Sequence, residues 1–225
     1  MPEQALQVAF EIKTACDEIS RRLLRWHWER KPGAHSLDAL LEHIAARKQE
    51  SPDYYDRMPD LSGKNSWQQL DTTLCMRVLL DPETDAARPL DLLGNTAHPS
   101  AARHACNAIR TARNEAAHAA VAADGAQAAL LFNEAIEALE EGYAGTAFKE
   151  NELAQYYREA EDYLSRCSEG KPLKARQSSP QNAQQGKAAA RSKPRDTQQT
   201  RSAKSTAGRQ NTSCLLYTSP SPRDS

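Results

Sequence analysis

Residues 100–123 read SAARHACNAIRTARNEAAHAAVAA. Ala105, Ile109, Ala112, Ala116, Ala119 and Ala123 recur at alternating steps of four and three. That spacing is one face of an α-helix. The stretch predicts a single helix from Ser100 to Ala123, closed by Asp124-Gly125. Its apolar seam is built almost wholly from small side chains, which let a second helix approach closely. The neighbour is either another helix of the same chain or a second copy of it.

Working outward, the same periodicity recurs on both sides. Val8, Ile12, Ala15, Ile19, Leu23 and Trp26 form an amphipathic stripe that ends at Pro32-Gly33. Ser36 is placed to cap a second helix with Leu37, Leu40, Leu41 and Ile44 on one face. Residues 49–65 hold Pro52, Pro59 and Gly63 and read as a loop. Ser66 and Gln69 have the capping-box spacing, so a third helix is predicted over 66–81, ahead of Pro82. A short apolar patch, Leu90 to Leu93, precedes the quoted stretch. Beyond it, Leu131, Phe132, Ala135, Ile136 and Leu139 predict a fifth helix over 126–143. Leu153, Tyr156, Ala160 and Tyr163 predict a sixth over 147–167. No strand pattern and no internal repeat emerge. The fold class expected is all-α, an antiparallel helical bundle with short connections.

Composition agrees. The chain has 225 residues, 39% of them hydrophobic, 26% charged and only 6% aromatic, with a formal net charge of −1. Such a balance excludes a collagen, a membrane bundle and a wholly disordered chain. No run of 18 apolar residues marks a transmembrane helix, and no secretory leader is visible. A cytoplasmic protein is expected. Near-neutrality hides a segregation of charge. Residues 1–168 carry 18 Lys+Arg against 27 Asp+Glu, whereas residues 169–213 carry 10 against 2. The second segment has no aromatic residue and one leucine, Leu173, too little apolar surface to offset ordering entropy. It is expected to be a disordered basic tail, serving either as a phosphate-attracting arm or as a plain linker. The last twelve residues, CLLYTSPSPRDS (214–225), resemble a translated sequencing-library adapter. They are set aside, and the natural frame, of which this is a fragment, is expected to run on past Ser213. The expected organisation is an N-terminal helical region (1–65), a helical bundle (66–168), the tail (169–213) and the adapter-like end (214–225).

Within the quoted helix lies Arg113-Asn114-Glu115-Ala116-Ala117-His118. The segment resembles the hallmark of the HEPN superfamily, the higher-eukaryote and prokaryote nucleotide-binding domain. In that family an Arg, often followed by Asn, Asp or His, precedes a His by a few residues. Arg113, Asn114 and His118 take those places, and the resemblance extends over about 66–166. Six-residue patterns of this kind arise by chance in a few per cent of chains of this length. The Ala-rich helix of a small bundle is the setting the family uses.

The residue chemistry can be stated without the family. On an ideal helix Arg113 and His118 point about 140° apart, while Arg110, Asn114 and His118 fall in one line at i, i+4 and i+8. An imidazole can take the proton of a ribose 2′-OH or give one to the leaving oxygen. A guanidinium can stabilise the extra charge on phosphorus in the transition state. An amide can orient the imidazole. These roles fall to His118, Arg113 and Asn114 as candidate catalytic residues, with Arg110 as a candidate phosphate-binding residue. The chemistry calls for RNA and for no metal and no cofactor. One helix supplies one imidazole. The resemblance implies the remedy: HEPN ribonucleases form homodimers that set two motifs across one cleft.

The resemblance implies a metal-independent endoribonuclease, in the setting of toxin–antitoxin or other defence systems. An antitoxin or a nucleotidyltransferase-type protein is then the expected partner, with no membrane. Two other classes stay open: a non-catalytic helical interaction module of a larger protein, and a nucleotide-binding accessory module. Elsewhere, His27 between Trp26 and Trp28 is expected to serve packing. His98 and His104 straddle a helix start, and His35 and His43 lack partners at metal spacing. Cys16, Cys75, Cys106 and Cys167 are widely spaced and read as small buried apolar groups rather than as a zinc site or disulfides.

Overall fold

The computed structural model describes residues 2–82, 86–87, 89–94 and 96–168. The tail (169–213) and the adapter-like end (214–225) lie outside the described residues. Seven α-helices are described, with no strand among the described residues: α1 (Pro2–Arg30), α2 (Leu37–Glu50), α3 (Pro52–Tyr55), α4 (Thr72–Leu79), α5 (Pro99–His118), α6 (Ala122–Gly142) and α7 (Ala147–Ser168). The fold is all-α, as the periodicities predict. No described helix is long and apolar enough to cross a membrane.

The expected stripes line the core. Val8, Ile12, Ala15, Ile19 and Leu23 of α1 are buried, as are Ala105, Ile109, Ala112 and Ala116 of α5 and Phe132, Ala135, Ile136 and Leu139 of α6. Leu153, Tyr156, Ala160 and Tyr163 of α7 complete it. No break in packing falls at residue 65/66, because α1 shares this core with α4, α5, α6 and α7. Cys16, Cys75 and Cys106 are buried, Cys167 is half-buried, and all four are free thiols.

Direction follows from the contacts. The N-terminal part of α6 meets that of α1 at Gly125 and Ala5. Near their C-terminal ends, the His27 imidazole lies 2.8 Å from the Tyr143 hydroxyl. The two helices therefore run parallel. α5 runs antiparallel to α6, since Gly142 faces Ala101 and Ala102. α7 runs antiparallel to α1, tied by Arg22 to Glu152 at one end and by Arg166 to Glu11, 2.6 Å, at the other. The small-residue seam of α5 is thus taken up within the chain: four of its six members are buried in the core, and α6 lies against this helix.

Three boundaries differ from expectation. The quoted helix ends at His118, not Ala123, and Ala123 sits exposed in α6. Asp124 is the cause. Its carboxylate accepts from the backbone N–H of Ala120, 3.0 Å, and of Val121, 3.1 Å, and so starts a new helix rather than ending the old one. The helix predicted over 66–81 is a single 3-10 turn, Trp67–Gln69, followed by α4. Gln69 does reach back to the N–H of Asn65 and Ser66. Leu70 is extended, however, and Asp71 caps α4 by accepting from Leu74 N–H, 2.9 Å. The loop expected over 49–65 contains the end of α2 and the one-turn α3. Ser36 caps α2 as predicted, accepting from Ala39 N–H at 3.1 Å.

The α2–α3 segment is moored by polar groups. Arg47 is fully buried and forks onto Asp81 with two hydrogen bonds of 3.2 Å. It also bonds Glu50, and the Tyr55 hydroxyl donates to Asp81. Losing one member of such a pair costs about 3–5 kcal/mol, because the other charge stays buried.

Two measurements test this packing. Gly125→Ala places a Cβ 2.2 Å from the Ala5 carbonyl oxygen, a backbone atom that moves only with its helix. The substitution would gain about 1 kcal/mol of helix propensity in an open helix, but overpacking costs about 1–3 kcal/mol. Urea denaturation should show a net loss of stability; a net gain would mean that α1 and α6 part freely. The second concerns His27. Burial pushes its imidazole down from 6.5 to about 4, aided by the Arg30 charge and opposed by the Leu92 backbone. Below pH 6.5 the unfolded chain takes up a proton that the folded chain refuses. Stability should therefore be full above pH 6.5 and fall by about 1.4 kcal/mol per unit toward pH 4. His27→Gln should remove that slope.

Candidate functional site

The outward side of α5 carries the motif. With Ala105, Ile109, Ala112 and Ala116 turned inward, the 100° advance per residue puts Arg110, Asn114 and His118 on the opposite flank. Arg110, Asn114 and His118 are all exposed. None of them has a hydrogen bond or ion pair among the described residues. The structure therefore brings these three together, on a line about 12 Å long from Arg110 to His118. His118 is the last residue of α5 and stands at the lip of the turn into α6.

Arg113 lies elsewhere. It is half-buried on the flank facing α1, where its charge reaches the thiol of Cys16 and favours the thiolate against the dominant effect of burial. Its Nε is sealed from solvent and has no hydrogen-bond partner. An orphaned buried donor of this kind costs about 1–3 kcal/mol, so it calls for an explanation. The terminal guanidinium nitrogens are not sealed in this way. Arg113 and His118 are thus not aligned, as the helix geometry predicts. The long arginine stem must turn to present its fork beside His118.

No other imidazole backs His118. His27 is buried against Tyr143, which is itself held near Cys106, and the burial keeps His27 neutral. It serves the core, as expected. His104 sits fourteen residues before His118, about 21 Å away along α5. It lines, with His98, Pro99, Ser100, Glu141 and Ala144, an open cleft of about 760 Å³ at the far end of the helix. That cleft and the motif thus occupy opposite ends of α5. Among the described residues no group of three or more His, Cys, Asp or Glu is placed to hold a metal ion.

Two residues not singled out from the sequence, Arg77 and Arg103, lie near the motif's flank. Arg77 of α4 and Arg110 both face Tyr54, whose hydroxyl feels their charge while burial pushes its pKa up. Arg103 donates to the Leu80 carbonyl at 3.3 Å. Their signal in the sequence is local: Thr72–Leu79 and Pro99–His118 together hold four arginines and a single acid, Glu115.

No family model, no curated protein and no solved structure matches this chain.

Because Asn114 and His118 form no hydrogen bond or ion pair in the described protein, their removal should not disturb the fold. Asn114→Ala and His118→Ala should each keep stability within about 0.5 kcal/mol of the parent by thermal or urea unfolding. A larger loss for either would assign that side chain a structural role.

Proposed function

We propose that the chain is a metal-independent endoribonuclease of the HEPN type, acting in the cytoplasm as a homodimer. The observation that carries this reading is the unpartnered line of Arg110, Asn114 and His118, flanked by an arginine whose Nε has no partner. Polar side chains held in such a pattern are left available for a ligand. Here the ligand chemistry is a phosphodiester: two guanidiniums for its charge, one imidazole for its protons.

In the proposed reaction a ribose 2′-oxygen attacks the adjacent phosphorus. The 2′-proton passes to one imidazole, and the 5′-oxygen leaves with a proton from another. A cyclic phosphate and a 5′-hydroxyl result. His118 is one of the two proton carriers. Arg113 stabilises the charge that gathers on the non-bridging oxygens, Arg110 holds the neighbouring phosphate, and Asn114 orients the ring of His118. The second imidazole is His118 of another copy, which is why the reading includes a homodimer. An enzyme that cuts RNA without a metal needs restraint, so an antitoxin or a nucleotidyltransferase-type protein belongs to the same proposal.

A second reading is favoured by a different observation. Phe10 is 64% exposed, Leu6 lies one turn before it on α1, and Val121 is exposed at the turn beside His118. Exposed apolar side chains suit a protein contact. On that reading the domain is a non-catalytic interaction or nucleotide-binding module.

The deciding experiment incubates the chain and its His118→Ala variant with a mixed RNA pool in EDTA. Fragments ending in cyclic phosphate from the first, and at least a hundredfold fewer from the second, are expected. Absence of cleavage by a folded, dimeric protein would favour the interaction reading.

A further inference from the structure

The arginines of this protein fall into two populations. Three of the six on α1 and α7 are neutralised: Arg22 pairs with Glu18 and Glu152, Arg25 with Glu29, and Arg166 with Glu11 and Asp162. Those on α4 and α5 are not. Arg77, Arg103, Arg110 and Arg113 have no ion pair among the described residues. Acids outnumber bases 27 to 18 over residues 1–168, so an opposite charge is not scarce. On the α4–α5 face none of the four is paired among the described residues.

The face is also ordered. The Arg77 guanidinium lies 5.0 Å from the centre of the Tyr54 ring, and the Tyr54 hydroxyl donates to the Arg77 carbonyl at 3.1 Å. Tyr54 feels Arg110 as well, so α3, α4 and α5 converge on it. Arg103 is steadied by its bond to the Leu80 carbonyl. Arg103 and Arg110 are seven residues apart, which sets them about 10 Å apart and only about 20° off a straight line on α5. The same flank continues through Asn114 to His118. A strip about 22 Å long thus runs from fixed cations to the candidate proton carrier.

We infer that Arg77, Arg103 and Arg110 form a phosphate track that holds one strand of RNA along α5 and feeds it to His118. Each arginine has N–H groups left over after its contact within the protein, and its fork matches a phosphate. Contacts of this sort position a strand without reading its bases. The track itself rests on the unpaired cations. That its ligand is RNA, delivered for cutting, rests on the ribonuclease reading.

The test separates binding from cleavage by using a labelled single-stranded 2′-O-methyl oligonucleotide, which lacks the nucleophilic hydroxyl. Binding to the full chain is measured over a salt series. Removing one arginine–phosphate pair should reduce the slope of log Kd against log salt by about 0.7. The triple variant Arg77→Gln/Arg103→Gln/Arg110→Gln should therefore fall by about 2 in slope, and at least tenfold in affinity at ~0.1 M salt. Arg110→Gln alone should fall by about 0.7; its side chain is exposed, so it reports even if the triple variant misfolds. Arg22→Gln/Arg25→Gln on α1, both paired with acids, should change neither quantity. An unchanged slope in the Arg110 and triple variants, or a decrease produced by the α1 pair instead, would overturn the track. Cleavage of natural RNA with an unchanged slope would keep the nuclease and discard the track. A lowered slope without any cleavage would do the reverse.

Discussion

The arrangement of the bundle depends on two places where a side chain is missing. At Gly125 the backbone of α1 comes so near that a Cβ would sit 2.2 Å from the Ala5 oxygen. At Gly142 a Cβ would stand 3.0 Å from the backbone of Ala101 and Ala102 in α5. One glycine at each end of α6 thus sets its distance from a different neighbour. The alanines between them, Ala128, Ala129 and Ala135, are wholly buried. With α6 pressed this closely on α5, the rotation of α5 is fixed, because packed interiors tolerate little displacement. The outward position of Arg110, Asn114 and His118 follows from that rotation.

Polar groups inside the bundle do a different job. Hydrophobic burial is non-directional and does not by itself choose among similar packings. Arg47 and Asp81 do choose, because a fork meets a carboxylate in few geometries. They hold the short α2–α3 segment to the end of α4. Tyr143 does the same elsewhere in the bundle, lying between His27 of α1 and Cys106 of α5. Apolar seams bring the helices together, and these few buried contacts settle their register.

Helix content was legible because burial selects a period of 3.6, and the stripes of α1, α5, α6 and α7 are long enough to display it. Shorter pieces were harder. Ser66 and Gln69 carry a genuine capping signature, yet the turn they cap lasts three residues, since Leu70 leaves helical geometry at once. The Asp124-Gly125 pair looks like a stop. The carboxylate of Asp124 turns backward to the preceding N–H groups, and Gly125 is needed for packing rather than for a turn. The motif line could be drawn from spacing alone. The half-burial of Arg113 and its orphaned Nε could not, because they depend on which helix lies beside that flank. The unpaired cations of α4 and α5 were hidden by averaging charge over the whole body. Arg47 gave no signal either, since a lone arginine in an amphipathic helix looks like any surface residue until Asp81, 34 positions later, is found against it.

The parallel pairing of α1 with α6 has a consequence for how the chain is made. Ala5 waits for Gly125, His27 for Tyr143 and Glu11 for Arg166, so α1 finds these partners more than a hundred residues later, long after Thr72 of α4 has reached Asp17 and Ser20. At translation rates of ~5–20 residues per second, that delay is roughly 6–24 s. Throughout it, the apolar stripe from Val8 to Leu23 lacks the part of its cover that α6 and α7 supply. The nascent chain therefore has a window in which α1 is a natural client for a chaperone. Docking of α6 and α7 closes that window.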